Sequence, residues 1–149
     1  MCRGRILYTG GTFDLFHYGH LKFLKNCKQI ADKVVVSLNT DSFVEQYKSK
    51  TVLNYEERRL SLLHCQYVDE VIENKFGSDS KPAILSVNPD IIAIGDDWAS
   101  KDYYSQMKFD QQWLDDKDIV LVYIPYTKDI SSSQIKDRIL KNAKGQSNN

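Results

Sequence analysis

The chain has 149 residues, of which 42% are hydrophobic and 27% charged, a composition typical of one globular domain with its own core. Twenty basic residues balance twenty acidic ones, so no global field favours nucleic acid or an anionic membrane surface. No apolar run approaches the roughly 20 residues that span a bilayer, and the start of the chain does not resemble a signal peptide. We therefore expect a single domain over residues 1–144, a frayed polar tail over 145–149, and no nucleic-acid or membrane partner.

The cysteines indicate a reducing compartment. Cys2, Cys27 and Cys65 are odd in number and stand at scattered spacings, without a C-x-x-C pair. This pattern is typical of reduced thiols in a cytoplasmic protein and does not match the ligand spacing of a zinc site. The sequence therefore predicts a cytoplasmic location and no metal held by protein ligands alone.

Apolar segments alternate with amphipathic segments along the chain. The first is a short strand that we expect Gly10-Gly11 to stop, and the clearest is DIVLVYIP near the end. One long irregular segment, 40–54, is typical of a functional or mobile loop. In chain order the patterns predict a strand over 5–9, a helix over 19–31, a strand over 33–39, a helix over 55–65, a strand over 68–72, a helix over 80–87, a strand over 90–95, a weak helix over 102–114, a strand over 118–125 and a helix over 131–144.

This order of elements predicts the fold class. The five strand segments are too apolar for a sheet that is wet on one face, and helices separate them. Such a pattern is typical of a parallel sheet that is covered on both sides. We therefore expect an α/β, Rossmann-like, doubly wound five-stranded parallel sheet with helices on both faces.

Polar clusters follow three of the predicted strands. GGTFDLFHYGH leaves the first strand, GDDW leaves the fourth, and YTKDISSS leaves the fifth and opens the last helix with Ser131 and Gln134 at capping-box spacing. Ligands of open α/β sheets lie beyond the carboxyl ends of the strands. We therefore expect the three clusters to meet in one cleft, where two helix N-termini favour an anion.

Two of the three histidines, His17 and His20, lie at the first turn of the first helix. Imidazole N–H groups at this position can donate to phosphate oxygens and stabilise charge on a pentavalent phosphorus, while Gly19 lets phosphate approach the backbone. Neither a P-loop nor a G-x-G-x-x-G pattern is present. Zinc ligation and simple helix capping are the structural alternatives for these two histidines.

HYGH after GGTFD, followed by YVDEVI, GDDW and the I-S-S-S segment, resembles the nucleotidylyltransferase superfamily, and within it the glycerol-3-phosphate cytidylyltransferase type. The resemblance extends from about Ile6 to Leu140. It implies that a phosphorylated alcohol attacks the α-phosphorus of CTP, with release of pyrophosphate and a CDP-alcohol. It also implies Mg²⁺ carried with the nucleotide, and a homodimer.

The resemblance implies roles for particular residues. Catalysis would fall to His17, His20, Lys48 and Lys50. The nucleotide would be bound by Thr12, Phe13, Asp14, Gly19, Asp97, Trp98, Thr127, Ser131 and Ser132. The phospho-acceptor would be bound by Arg58 and Asp41.

The sequence departs from the family pattern at three positions. Tyr126 and Gln66 stand where the family usually has arginine, and Asp129 stands where it usually has glycine. Loss of a charge-assisted phosphate contact costs about 1.5–3 kcal/mol, which weakens binding without abolishing it. The alternatives are therefore a nucleotidylyltransferase with another base or acceptor, and a nucleotide sensor that binds without turnover.

Overall fold

The computed structural model of the chain describes residues 4–47, 50–95, 108–125 and 127–147. Its five strands form one all-parallel sheet in the order β3-β2-β1-β4-β5, which confirms the predicted fold class. The strands are β1 (Ile6–Gly11), β2 (Lys33–Asn39), β3 (Glu70–Asn74), β4 (Ile91–Gly95) and β5 (Val120–Ile124). The helices in the described ranges are α1 (Tyr18–Gln29), α2 (Asp41–Tyr47), α3 (Tyr55–Leu63), α4 (Lys81–Val87), α5 (Gln111–Asp116) and α6 (Ser132–Ser147).

Hydrophobic cores lie on both faces of the sheet. The core shared with α1 and α3 contains Leu7, Val34, Val36, Leu24 and Leu62. The core shared with α4 and α5 contains Tyr8, Ile92, Ile84 and Leu114. Each fully buried aliphatic side chain contributes about 1.5–3 kcal/mol by leaving water. The two cores fix the strands, and hence the positions at which the loops leave their carboxyl ends.

The sequence predicted that β1 ends before its two glycines, and this boundary is wrong. The strand continues through Gly10 and Gly11, which pair with Ser37 and Leu38 of β2. A Cβ at Gly11 would lie 2.8 Å from the ring of Phe13, so glycine lets that ring fold back over the strand end. Phe13 itself has a φ of 51° in the left-handed region. The connection from β1 to α1 is therefore tightly turned and holds its backbone in a costly conformation.

The segment 40–54 is not the long irregular loop that the sequence predicted, because α2 forms at its start. The hydroxyl of Thr40 accepts a hydrogen bond from the N–H of Phe43 (3.2 Å) and begins the helix. Val44 is fully buried and anchors it. A seven-residue helix leaves little periodicity in the sequence, so tertiary packing decides its formation.

Other boundaries differ by a few residues. β3 begins and ends two residues later than predicted, and α3 ends at Leu63. α6 continues to Ser147 where the sequence predicted a frayed tail, and Gly145 within it has open space around its Cβ position. The weak helix predicted over 102–114 lies partly outside the described residues, and α5 occupies its end.

The turn before α6 contains a strained residue. Asp129 has a φ of 69°, in the left-handed region that glycine adopts without cost. This conformation accounts for the glycine that the resembled family has at this position. An L-residue there costs roughly 1–2 kcal/mol, somewhat less for aspartate.

We predict that Asp129→Gly will keep or raise the free energy of unfolding, by up to about 1 kcal/mol, because relief of strain outweighs the added chain entropy. Asp129→Ala should lower it, because alanine keeps the Cβ and loses the polar group. Urea unfolding measures both variants. A glycine variant clearly less stable than the parent would contradict the strain assigned to this turn.

Candidate active site

Two histidines cap the first helix at the carboxyl edge of the sheet. The Nδ1 atom of His17 accepts a hydrogen bond from the N–H of Gly19 (3.0 Å). The N–H of His17 donates to Nδ1 of His20 (3.3 Å). These two bonds form a reciprocal capping box, so the capping role that we considered an alternative for these histidines is part of the observed geometry.

The capping box also fixes the tautomers of both rings. Because Nδ1 of each ring accepts from a backbone N–H, the proton of each neutral imidazole resides on Nε2. The rings are stacked, with centroids 3.8 Å apart and an interplanar angle of 23°. The pair therefore presents Nε2–H donors and cannot readily hold two positive charges.

His17 is only 9% exposed. Among the described residues its Nε2 atom is buried and has no hydrogen-bond partner. Burial lowers the pKa of His17 below its usual value of 6.5, so the ring is neutral at pH 7. A neutral, unpaired donor at a helix N-terminus is suited to an anionic oxygen.

The start of α6 lies beside this histidine pair. A Cβ at Gly19 would lie 2.9 Å from Cε1 of His17 and 3.3 Å from Cγ2 of Ile130. Gly19 is thus needed for the packing of the His17 ring against the segment that opens α6. The structure brings the HYGH and I-S-S-S segments together, as the sequence predicted.

Asp14 joins three segments at this edge. Its carboxylate accepts from the N–H groups of Val52 and Leu53 (2.9 Å each) and pairs with Lys136 of α6 (3.3 Å). Its carbonyl oxygen accepts from the hydroxyl of Ser132 (2.5 Å). Burial alone would raise the pKa of Asp14, but these N–H donors and Lys136 outweigh it and hold the pKa below the usual 3.8.

Arg58 and Asp41 form an ion pair that is part of the framework. Arg58 is fully buried. Its Nε donates to the carbonyl of Leu53 (3.2 Å), its Nη1 to the carbonyls of Thr12 and Asn39 (2.9 Å each), and its Nη2 to Asp41 (2.6 Å). The family resemblance implied that Arg58 binds the acceptor phosphate. In the structure no part of its guanidinium is exposed to a ligand.

Asp41 is likewise engaged. It accepts from the N–H of Tyr55 (3.0 Å) and from the hydroxyl of Thr51 (3.3 Å), besides Arg58. Partial burial would raise its pKa, but these donors, Arg58 above all, hold the pKa below 3.8. Both residues therefore position backbone segments. Arg58 needs its partners because a buried charge is costly without them, whereas the Asp41 side chain is 39% exposed.

The remaining predicted residues are distributed as follows. Thr12 and Phe13 follow β1, and the half-buried Thr127, Ser131 and Ser132 lie at the start of α6. The hydroxyl oxygen of Ser131 accepts from the N–H of Gln134 (3.1 Å), the serine half of the predicted capping box. Lys50 and Gln66 are exposed. Lys48, Asp97, Trp98 and Tyr126 lie outside the described residues.

Three polar residues at this edge were missed by the sequence analysis: Asn39, Asn74 and Lys136. Asn39 and Asn74 end β2 and β3, where asparagine is expected simply as a turn residue. Lys136 occupies a helix position where lysine usually faces solvent. Their placement at strand ends and in the first turns of α6 was the available signal.

A cleft of about 770 Å³ lies at the opposite, amino-terminal edge of the sheet, between Arg5, Lys28, Asp32 and Asp90. Charged side chains that line it are engaged in contacts within the protein. Lys28 pairs with Asp69 (2.8 Å), and the carboxylates of Asp32 and Asp90 accept backbone N–H groups of Arg5 and Ile6. Ligands of this fold class bind at the other edge, where the histidine pair lies.

No helix in the described ranges is long and apolar enough to cross a membrane. No group of three or more His, Cys, Asp or Glu in them could hold a metal ion.

The fold and the site together define a Rossmann-like α/β protein with neutral donors and two helix N-termini gathered at its carboxyl edge. A family model described as cytidylyltransferase-like matches residues 8–138. The chain belongs to this family.

Individual relatives match over most of their length. The chain is 43% identical to the glycerol-3-phosphate cytidylyltransferase of Bacillus subtilis (strain 168) over 131 residues, which are 88% of this chain and 94% of the relative. It is 34% identical to the protein of the same name from Staphylococcus aureus (strain NCTC 8325 / PS 47), over 88% of this chain and 92% of the relative.

A similar solved structure is the lipopolysaccharide core biosynthesis protein from Thermoplasma volcanium GSS1. It superposes with a TM-score of 0.66 at 26% identity, and the match covers 85% of this chain and 98% of that one. The likeness supports the Rossmann-like architecture.

We predict that Gly19→Ala will lower stability or leave it unchanged, although glycine-to-alanine changes in helices usually stabilise by up to about 1 kcal/mol. The added Cβ would meet the His17 ring at 2.9 Å and displace it. Gly145→Ala in α6, where the Cβ has open space, is the matched control and should be stabilising. Thermal unfolding measures both. A gain at position 19 equal to that at 145 would refute the crowding.

We also predict a pH dependence that belongs to His17. The unfolded chain binds a proton at this residue near pH 6.5, whereas the folded chain, whose His17 pKa is lower, does not. The stability of the native protein should therefore fall as the pH drops below about 6.5, until the folded pKa is passed.

The control variant is His17→Asn, because asparagine keeps a side-chain acceptor for the Gly19 N–H and does not titrate. All other groups titrate in both proteins, so the difference in unfolding free energy against pH isolates His17. If the two curves run parallel from pH 7.5 to 5, the ring does not exclude a proton on folding.

Proposed function

We propose that this chain is a cytidylyltransferase that transfers CMP from CTP to a small phosphorylated alcohol, with glycerol 3-phosphate as the first candidate. The observation that carries the proposal is the stacked His17–His20 pair beside the first turn of α6, where the buried Nε2 donor of His17 has no partner among the described residues. The names and coverage of the relatives support the choice of CTP and glycerol 3-phosphate.

The reaction needs donors more than it needs a base. A phosphate oxygen of the acceptor forms a bond to the α-phosphorus of CTP, and the bond from that phosphorus to the bridging oxygen of the β-phosphate breaks. The electron pair leaves on pyrophosphate. A phosphate monoester has a second pKa near 6 and is already largely a dianion at pH 7, so no proton must be removed from it.

Neutral Nε2–H groups fit this requirement. In the proposed complex, His17 and His20 donate to oxygens of the α-phosphoryl group, where charge accumulates in the transition state. Ser131 and Thr127 hold the β- and γ-phosphates through their hydroxyl groups at the N-terminus of α6. Ser132, whose hydroxyl donates to the Asp14 carbonyl, contributes its backbone N–H. Thr12, Phe13 and Gly19 line the nucleotide pocket, and Asp14 holds its loop. Lys48 and Lys50 close over the acceptor side, and Asp97 and Trp98 contact ribose and base.

Arg58 and Asp41 receive a different role from the one the family resemblance implied. We propose that they position the ends of β1 and β2 and the 50–54 segment around the acceptor, without touching it. Their mutual contact and the three carbonyls on Arg58 support this assignment.

Mg²⁺ belongs to the proposal as part of the MgCTP substrate, in which it neutralises phosphate charge. Magnesium commonly binds through substrate phosphates with few protein ligands. The homodimer implied by the resemblance is likewise proposed. So is the cytoplasmic location, which the free thiols of Cys27 and Cys65 support.

The direct test is pyrophosphate release from CTP, ATP, GTP and UTP, each with glycerol 3-phosphate, phosphoethanolamine and phosphocholine. The highest kcat/KM is expected for CTP with glycerol 3-phosphate. Turnover with another pair would keep the reaction class and change the substrate. Thermal stabilisation by a nucleotide without any turnover would identify a sensor, the alternative that the Gln66 and Tyr126 departures leave open.

We predict that His20→Ala will lower kcat by about 100-fold or more, with a much smaller change in CTP affinity, since removal of one transition-state donor typically has this effect. His64→Ala is the control, because His64 lies exposed at the end of α3, where its Nδ1 atom bonds the Leu60 carbonyl of the same helix. Unchanged kcat in His20→Ala would remove His20 from the mechanism.

A further inference from the structure

A chain of side-chain hydrogen bonds crosses the carboxyl ends of three strands. Asn39 and Asn74 are register partners at the ends of β2 and β3. The side-chain nitrogen of Asn74 donates to Oδ1 of Asn39 and to the carbonyl of Gly77 (2.9 Å each). The side-chain nitrogen of Asn39 donates to Oγ1 of Thr12, just after β1 (3.2 Å). We call Gly77, Asn74, Asn39 and Thr12 the amide relay.

The direction of every bond in the amide relay follows from its first member. The Gly77 carbonyl can only accept, so Asn74 must turn its NH₂ group toward it. The same NH₂ then faces Asn39, which must present its oxygen to Asn74 and its nitrogen to Thr12. The Thr12 hydroxyl therefore accepts from Asn39, and its own proton is directed to another side.

The surroundings hold this direction in place. Asn74 is 5% exposed, and among the described residues its Oδ1 is buried without a hydrogen-bond partner. Gly77 has a φ of 60°, and a Cβ there would lie 3.1 Å from the ring of Phe43 in α2. Arg58 fixes the backbone of two members of the relay through the carbonyls of Thr12 and Asn39. Leaving a buried oxygen unpaired is unfavourable, so the NH₂ contacts of Asn74 outweigh that cost.

We propose that Asn39 and Asn74 are positioning residues that orient the Thr12 hydroxyl as a donor to a phosphate oxygen of a substrate. Phosphate oxygens at neutral pH only accept hydrogen bonds, so a threonine that was itself required to donate to Asn39 could not serve one. The inference rests on the proposed function, in which Thr12 lines the nucleotide pocket. The phosphate belongs to CTP or to the acceptor, and kinetics distinguish the two.

The test reverses one bond without removing it. Asn39→Asp keeps an acceptor for Asn74 and presents an oxygen to Thr12, so the Thr12 hydroxyl must turn and donate to residue 39. We expect the KM of one substrate to rise on the order of tenfold or more, the usual effect of losing a hydrogen bond to a charged group, with the KM of the other little changed. A rise for CTP assigns the bond to the nucleotide, and a rise for glycerol 3-phosphate assigns it to the acceptor.

Thr12→Val separates this effect from the added charge. Without the hydroxyl, Asn39→Asp should change the same KM by no more than a few-fold, while Thr12→Ser should remain close to the native protein. Asn74→Ala, which frees the Asn39 amide to rotate, should raise the same KM and should also have no further effect in the Thr12→Val background. Asn142→Asp is the charge control, because Asn142 is exposed on α6, ten residues beyond the first residue of that helix.

Two results would overturn the inference: equal effects of Asn39→Asp with and without the Thr12 hydroxyl, or a fall in kcat alone with both KM values unchanged. The dissociation constant of CTP, measured by calorimetry on the same variants, gives a readout that does not need turnover. If the native protein releases no pyrophosphate but binds CTP, the proposed function fails. The CTP dissociation constants of the single and double variants then still test the amide relay. If the native protein does not bind CTP at all, the proposed function and the inference about Asn39 and Asn74 both fail.

Discussion

The geometry of the site depends on one buried guanidinium. Arg58 has no exposed surface, so its charge is tolerable only because a carboxylate and three carbonyl oxygens meet its N–H groups. Those oxygens come from the end of β1, the end of β2, the 50–54 segment and the first residue of α2. The same bonds that satisfy the charge therefore hold together the segments that leave the sheet at this edge, including the one that leads to His17.

The histidine pair reflects a second constraint, the shared use of two rings for capping and for binding. Each Nδ1 atom accepts a backbone N–H at the start of α1, which leaves the proton of each neutral ring on Nε2. A base would need a free ring nitrogen lone pair, and neither ring has one. A donor pair is nevertheless sufficient for a phosphate nucleophile, since that nucleophile reacts without losing a proton. The local structure thus agrees with the chemistry proposed for the family.

The sequence predicted the sheet well because its strands are compact apolar runs, such as Val34–Leu38, whose burial on both faces leaves no alternative arrangement. It also predicted that the HYGH and serine segments meet, since both follow parallel strands. It missed α2, which is only seven residues long, and it could not foresee that Arg58 lies in the interior. A charged residue on an amphipathic helix normally faces solvent, and only the arrangement of distant carbonyls shows otherwise. Asn39 and Asn74 were missed because asparagine at the end of a strand is expected simply as a turn residue.

At the polyphosphate site that we propose, the ion pairs of the described residues add little net positive charge. Its two described carboxylates, Asp14 and Asp41, are each paired with a cation, Lys136 and Arg58, so the ion pairs nearly cancel. Besides Lys48 and Lys50, which we propose on the acceptor side, the attraction comes from oriented dipoles: imidazole and hydroxyl donors and the N-termini of α1 and α6, where the helix carries roughly half a positive charge. Such donors are held by the fold and need no reorganisation when charge develops on a phosphoryl group. The departure at Gln66 removes a charge from an exposed turn and leaves these dipoles intact, which is why a chain lacking that arginine can still keep the reaction of its family.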